Sequence, residues 1–113
     1  MNITITSKQI ELTDSIKSKI ENKFSKLERY INQDTDINVK LDVKKKSQKI
    51  EVTIFTKGGT ILRAEDSKDD LYSSIDIVYD KLYSQIRKLK TQLSKRNKSN
   101  ASIRFDNVED YIP

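Results

Sequence analysis

Apolar positions in this chain recur with two different periods, and the switches between them mark out six elements. The longest regular run is Leu71, Ile75, Val78, Leu82, Ile86, Leu89 and Leu93, at steps of four, three, four, four, three and four. That spacing keeps all of them on one stripe of an α-helix. With no Gly or Pro in between, it predicts a single helix over 69–96, about 42 Å long at 1.5 Å per residue. Ile16, Ile20, Phe24, Leu27 and Ile31 predict an earlier helix over 14–31. Thr13 is placed to cap its N-terminus, and Asp14 sits in the first turn. Elsewhere the period is two. Ile3 and Ile5 alternate with Asn2, Thr4 and Thr6. Ile37, Val39, Leu41 and Val43 form a second alternating run, and Ile50, Val52 and Ile54 a third. A fourth strand is expected over Thr60 to Ala64.

The connections have their own chemistry. Asn32 to Asp36 is a polar break, and a turn is expected at Ser47-Gln48. Lys44, Lys45, Lys46 and Lys49 surround that turn as a basic hairpin tip. Lysines of this kind protect sheet edges against aggregation, and that reading is preferred here over a binding role. Lys57-Gly58-Gly59-Thr60 suits a two-residue hairpin loop with positive φ. It lacks the further glycines and the Lys-Ser/Thr of a phosphate-binding loop, and no helix follows it. Glu65 to Lys68 connects to the long helix.

The resulting order is β-α-β-β-β-α, an α+β fold. The helical crossover makes the first two strands parallel if they pair, and the hairpins make the other pairs antiparallel. The economical packing is a four-stranded mixed sheet with both helices on one face. Double-stranded-RNA-binding domains have a similar sheet with helices on one face.

Composition narrows the chemistry. The 113 residues contain no Cys and no His, which excludes disulfides, thiol nucleophiles, Cys/His zinc sites and histidine acid–base catalysis. Asp66, Asp69 and Asp70 could hold a metal, but a helix N-terminus accounts for them. No metal or other cofactor is expected. The formal charge is +5 with a pI of about 9.3, which suggests a polyanionic partner, nucleic acid ahead of membrane. No apolar run approaches a membrane span, and no secretory signal is visible, so the cytoplasm is the expected location. The long helix is sorted by charge: Asp69, Asp70, Asp76 and Asp80 lie in its first half, Lys81, Arg87, Lys88, Lys90, Lys95 and Arg96 after them. Dipole complementarity accounts for the ends of that gradient but not for the mid-helix Lys81, Arg87 and Lys88, where a solvated basic face and an anion-binding face remain open. At 100° per residue, Lys81, Lys88 and Lys95 fall on one flank of the apolar stripe, and Arg87 and Lys90 towards the other.

Several stretches in sequence order resemble one family. They are Ile3-Thr4-Ile5 with Ser7-Lys8-Gln9, Lys26-Leu27-Glu28-Arg29-Tyr30, Arg63-Ala64-Glu65-Asp66, Asp69-Asp70-Leu71-Tyr72-Ser73-Ser74-Ile75-Asp76, Asp80-Lys81-Leu82 and Gln85-Ile86-Arg87-Lys88. Together they look like the N-terminal domain of the ribosome hibernation-promoting factors, the family that includes protein Y. The resemblance covers residues 1–96 and implies a ribosome-binding domain there, with 97–113 a flexible tail or the start of a linker. It implies binding without catalysis, in the decoding region of the small ribosomal subunit. There the family occupies space needed by messenger RNA and by A- and P-site transfer RNA. Carried over residue by residue, the rRNA-binding set is Lys23, Lys26 and Arg29 on the first helix. On the second it is Lys81, Arg87, Lys88, Lys90, Lys95 and Arg96. Tyr83-Ser84 stands where the family often has Glu-Arg, so one phosphate contact is expected to be missing. Ribosome dimerisation is expected to need the C-terminal domain of long members, which these residues lack.

Two other functions fit the residues less well. A generic module for structured RNA would use the same basic array without preferring the small subunit. A coiled-coil partner would use the near-heptad stripe of the long helix, but the acids needed for flanking charge pairs are absent from its second half. Tyr30, Tyr72, Tyr79 and Tyr83 are read mainly as packing at the core edge rather than base-stacking groups.

Overall fold

The computed structural model describes residues 2–31, 35–56 and 58–96; within the last turns of the final helix, side chains are described to residue 91. The expected tail over 97–113, most of the polar break at 32–36 and Lys57 of the glycine turn lie outside the described residues. The elements are β1 (Asn2–Ser7), α1 (Asp14–Ser25), a 3-10 turn (Lys26–Arg29), β2 (Asp36–Lys44), β3 (Ser47–Phe55), β4 (Ile61–Lys68) and α2 (Leu71–Arg96).

The sheet order is β1-β2-β3-β4, with β1 parallel to β2 and the other two pairs antiparallel. Ile37, Val39, Leu41, Ile50, Val52, Ile54, Leu62 and Ala64 all face one side and are buried there. Against them α2 presents Leu71, Ile75, Val78, Leu82 and Ile86, and α1 presents Ile16, Ile20 and Phe24. Each stripe is the one its period dictates, because only that face removes apolar area from water, at about 25 cal/mol per Å². Leu89 is half-buried, where α2 begins to outrun the sheet.

Several boundaries differ from those expected. The first helix stays α-helical only to Ser25 and tightens into a 3-10 turn, which brings Leu27, Tyr30 and Ile31 inward. The last helix starts at Leu71 rather than 69. Asp70 is its cap: one carboxylate oxygen accepts from Tyr72 N at 3.0 Å and the other from Ser73 Oγ at 2.8 Å. β4 continues through the residues expected to connect it to α2, because Glu65 and Ser67 stay paired to Glu51 and Lys49 of β3. Polar residues are tolerated there since one face of the sheet meets solvent.

Both hairpins also close differently. The β2–β3 turn is Lys45-Lys46, flanked by the Lys44–Ser47 pair, and Ser47-Gln48 belongs to β3. The glycine connection is a five-residue loop over Thr56 to Thr60 rather than a two-residue one. Thr56 N donates to Thr60 O at 3.1 Å, and Gly59 N to Thr56 O at 3.0 Å. Gly59, at φ 90°, alone supplies the glycine conformation.

Candidate nucleic-acid interface

The two helices lie side by side on the sheet and run in the same direction, so their basic C-terminal halves end near one another. What joins them is an aromatic seam. Phe24 and Tyr79 have ring centroids 6.2 Å apart, Tyr30 meets Tyr83 edge-on at 5.2 Å, and Tyr79 and Tyr83 lie nearly parallel at 6.3 Å. Tyr30 is buried, and Tyr79 and Tyr83 pack against the core. Burial raises the pKa of the Tyr79 phenol. These rings are spent on packing, as expected; Tyr72 is the exposed one.

The seam sorts the predicted cations. Lys23 is not a free charge. Its Nζ lies 3.4 Å from Asp76 Oδ1 and 4.8 Å from the centre of the Tyr79 ring, while Lys19 reaches the same carboxylate oxygen at 3.0 Å. The hydrogen bond from Lys19 is the main reason the Asp76 pKa is lowered. Further along, Lys26 and Arg29 project from the 3-10 turn into solvent, with no ion-pair partner among the described residues.

On α2, Lys81 turns away from this seam. Its Nζ donates to Glu65 O on β4 at 2.9 Å. Four residues on, Gln85 closes on the same strand: its Nε2 donates to Arg63 O at 2.8 Å and its Oε1 accepts from Arg63 N at 3.3 Å. The two side chains satisfy outward-facing backbone groups of an edge strand, which would otherwise be open to pairing. The expected flank of Lys81, Lys88 and Lys95 is therefore divided, since Lys81 is held at the sheet edge. Arg87 and Lys88 are exposed and share an open cleft of about 410 Å³ with Ser84 and Thr91. The Arg87 guanidinium also lies 5.8 Å from the centre of the Tyr83 ring. Ser84 stands beside both cations. Lys90 is half-buried, and desolvation lowers its pKa. Lys95 and Arg96 belong to the last turn of α2, beyond the side chains described.

The opposite face of the sheet carries charge of a different kind. Arg63 meets Glu51 at 2.6 Å and Lys49 meets Glu65 at 3.3 Å, both across strands. The Arg63 hydrogen bond lowers the Glu51 pKa. Arg63 and Lys49 are answered by acids here, whereas Lys26, Arg29 and Lys88 on the helical side have no acidic partner among the described residues. Sequence reasoning missed the lock on Lys23 and the Gln85 clamp. The i, i+4 spacing of Lys81 and Gln85 signalled a shared face, but not that a strand edge lay beneath it. Among the described residues no helix is long and apolar enough to cross a membrane, and no acidic group is arranged to hold a metal ion.

Comparison with known proteins bears on the family and the fold. The chain matches the sequence profile of the sigma 54 modulation protein / S30EA ribosomal protein family over residues 3–94. It is 39% identical over 99 residues to the ribosome hibernation promotion factor of Lactococcus lactis, covering 85% of this chain and 53% of that one. The protein of the same name from Staphylococcus aureus is 44% identical over 92 residues, covering 79% and 48%. The chain thus spans about half the length of these relatives. Among solved structures, the Thermus thermophilus Protein Y N-terminal domain superposes with a TM-score of 0.71 at 30% identity, covering 79% of this chain and 99% of that one. A ribosomal subunit interface protein from Coxiella burnetii shares the fold, with a TM-score of 0.70 at 20% identity over 80% of this chain and 99% of that one.

Proposed function

The chain belongs to the sigma 54 modulation protein / S30EA ribosomal protein family, and from that premise we propose that it is a ribosome hibernation factor. It docks its two-helix face on rRNA in the decoding region of the small subunit. There it fills space needed by messenger RNA and by A- and P-site transfer RNA, and so holds idle ribosomes silent. It acts in the cytoplasm, by binding alone, and needs no cofactor.

The observation that carries this reading is the pairing asymmetry. Lys26, Arg29 and Lys88 have no acidic partner among the described residues, and Arg87 leans on a ring rather than a carboxylate. An unanswered cation array of this kind neutralises phosphates and releases counterions, with little base readout. The RNA-contacting set is Lys26, Arg29, Arg87 and Lys88, with Lys90, Lys95 and Arg96 included for their place on the basic half of α2 rather than for lack of a partner. Lys23 and Lys81 contribute chiefly through position, since each already holds a partner in the fold.

Co-sedimentation with purified small subunits across a salt series tests this reading. The chain should bind saturably, bind less as salt rises, and be displaced by messenger and transfer RNA. Arg87→Glu with Lys88→Glu should lower the affinity by roughly ten- to a hundredfold at low salt. A folded double variant that binds unchanged defeats the site assignment. Equal binding to any structured RNA leaves a generic RNA module instead.

A further inference from the structure

The β2–β3 hairpin tip breaks an ordinary rule of turn chemistry. Its two-residue loop is Lys45-Lys46, with φ of 49° and 69°. A loop with both central residues left-handed favours Asn-Gly or Gly-Gly, because a Cβ is strained there. The chain has two glycines and spends both in the other hairpin, where only Gly59 has positive φ. Lysine therefore occupies both positions at which the backbone disfavours it.

Edge protection does not explain these lysines. The turn joins β2 and β3, the two central strands of the sheet, so it guards no edge. Nor are they used inside the fold. Lys44, Lys45 and Lys46 are exposed, and none of their side chains has a partner among the described residues. Of the nearby acids, Asp42 accepts from Val43 N, Asp66 lies 3.9 Å from Lys68 and Asp70 caps α2, and neither these nor the exposed Asp69 pairs with the three lysines among the described residues.

We propose that Lys44, Lys45 and Lys46 form a second contact for RNA backbone phosphates, separate from the helical face. The inference rests on the proposed rRNA-binding function and adds a site to it. Gln48 Nε2 donates to Asp69 O, so the tip lies beside the start of α2. Lys88 is 17 residues beyond Leu71 on that helix, on the order of 26 Å away. The protein thus holds RNA at both ends, and the strained turn is kept because it concentrates three cations at one point.

The test is a comparison of five versions of the 113-residue chain in small-subunit binding across a salt series: the parent, Lys45→Asn with Lys46→Gly, Lys45→Gln with Lys46→Gln, Arg87→Glu with Lys88→Glu, and Lys40→Gln with Lys49→Gln on the outer face of the sheet. The Asn-Gly variant relieves the turn, so its thermal midpoint should rise while its affinity falls roughly tenfold and its log–log salt slope drops by about one to two. Lys45→Gln with Lys46→Gln should bind as weakly without the gain in stability. The sheet-face variant removes the same net charge and should bind like the parent. If the Asn-Gly variant binds like the parent while the helix variant does not, the tip proposal is overturned and the helical site stands. Equal losses in the tip and sheet-face variants overturn it in favour of overall charge. A helix variant that binds like the parent overturns the rRNA reading itself, and the tip proposal with it.

Discussion

The two halves of α2 have the same helical geometry and opposite uses. Up to Gln85 the helix is held at its cap, along its buried stripe and on both flanks of that stripe. Asp70 caps it, Ile75, Val78 and Leu82 are fully buried, Asp76 holds two lysines of α1, and Lys81 and Gln85 bond to the backbone of β4. Beyond Ile86 the core gives way to a half-buried Leu89, and the exposed side carries Arg87 and Lys88. A charge is silenced where the fold supplies it with a partner and remains available where it does not. On the proposed reading, a count of basic residues overstates the interface, and the pairing pattern is what narrows it.

Changes in the first half should cost stability and spare binding. The largest effect is expected from Ile75→Ala, which leaves a cavity between α2 and the sheet and should cost about 3 kcal/mol in denaturant unfolding. Gln85→Ala should cost about 1–2 kcal/mol, because it strips both bonds from Arg63 at the strand edge. Affinity of the folded fraction for small subunits should stay at the parental level. If Gln85→Ala loses affinity without losing stability, the division between the halves fails.

Asp76→Asn probes the boundary from the other side. It frees Lys19 and Lys23, so binding at low salt should tighten a few-fold. The Asp76 pKa is lowered in the folded state. Its contribution to stability is therefore present above the ordinary carboxylate value of about 4 and is lost as pH falls through the lowered value. About half of this side chain is exposed, so solvent screening holds the contribution below about 1 kcal/mol. A parental stability curve down to pH 3 that overlays that of Asp76→Asn would remove the ion pair from the account.

The elements and the core were legible because they depend on period alone. Ile16, Ile20, Phe24, Ile37, Val39, Leu41, Ile50, Val52, Ile54, Ile75, Val78 and Leu82 are all buried on the faces that their spacing dictates. The basic C-terminal half of α2 was legible for the same reason, since charge sorting along a helix needs no partner to be seen. Lys23 and Lys81 were not separable from Arg87 and Lys88, because their partners come from elements distant in sequence. Asp76 lies 53 residues from Lys23, and Glu65 is on another strand.

Local pattern determined by itself the β-α-β-β-β-α order, the buried stripes and the basic character of the molecule. These follow from backbone period and side-chain polarity, which each segment carries with it. Tertiary structure alone decided which cations are free, where β4 ends and which residues turn. Lys45-Lys46 became the turn because the registers of Val39 with Val52 and Leu41 with Ile50 bury both strands on one face. A slip of one residue would expose them. The pairing across the sheet outweighed the local preference for glycine, and that outcome cannot be read from the turn residues themselves.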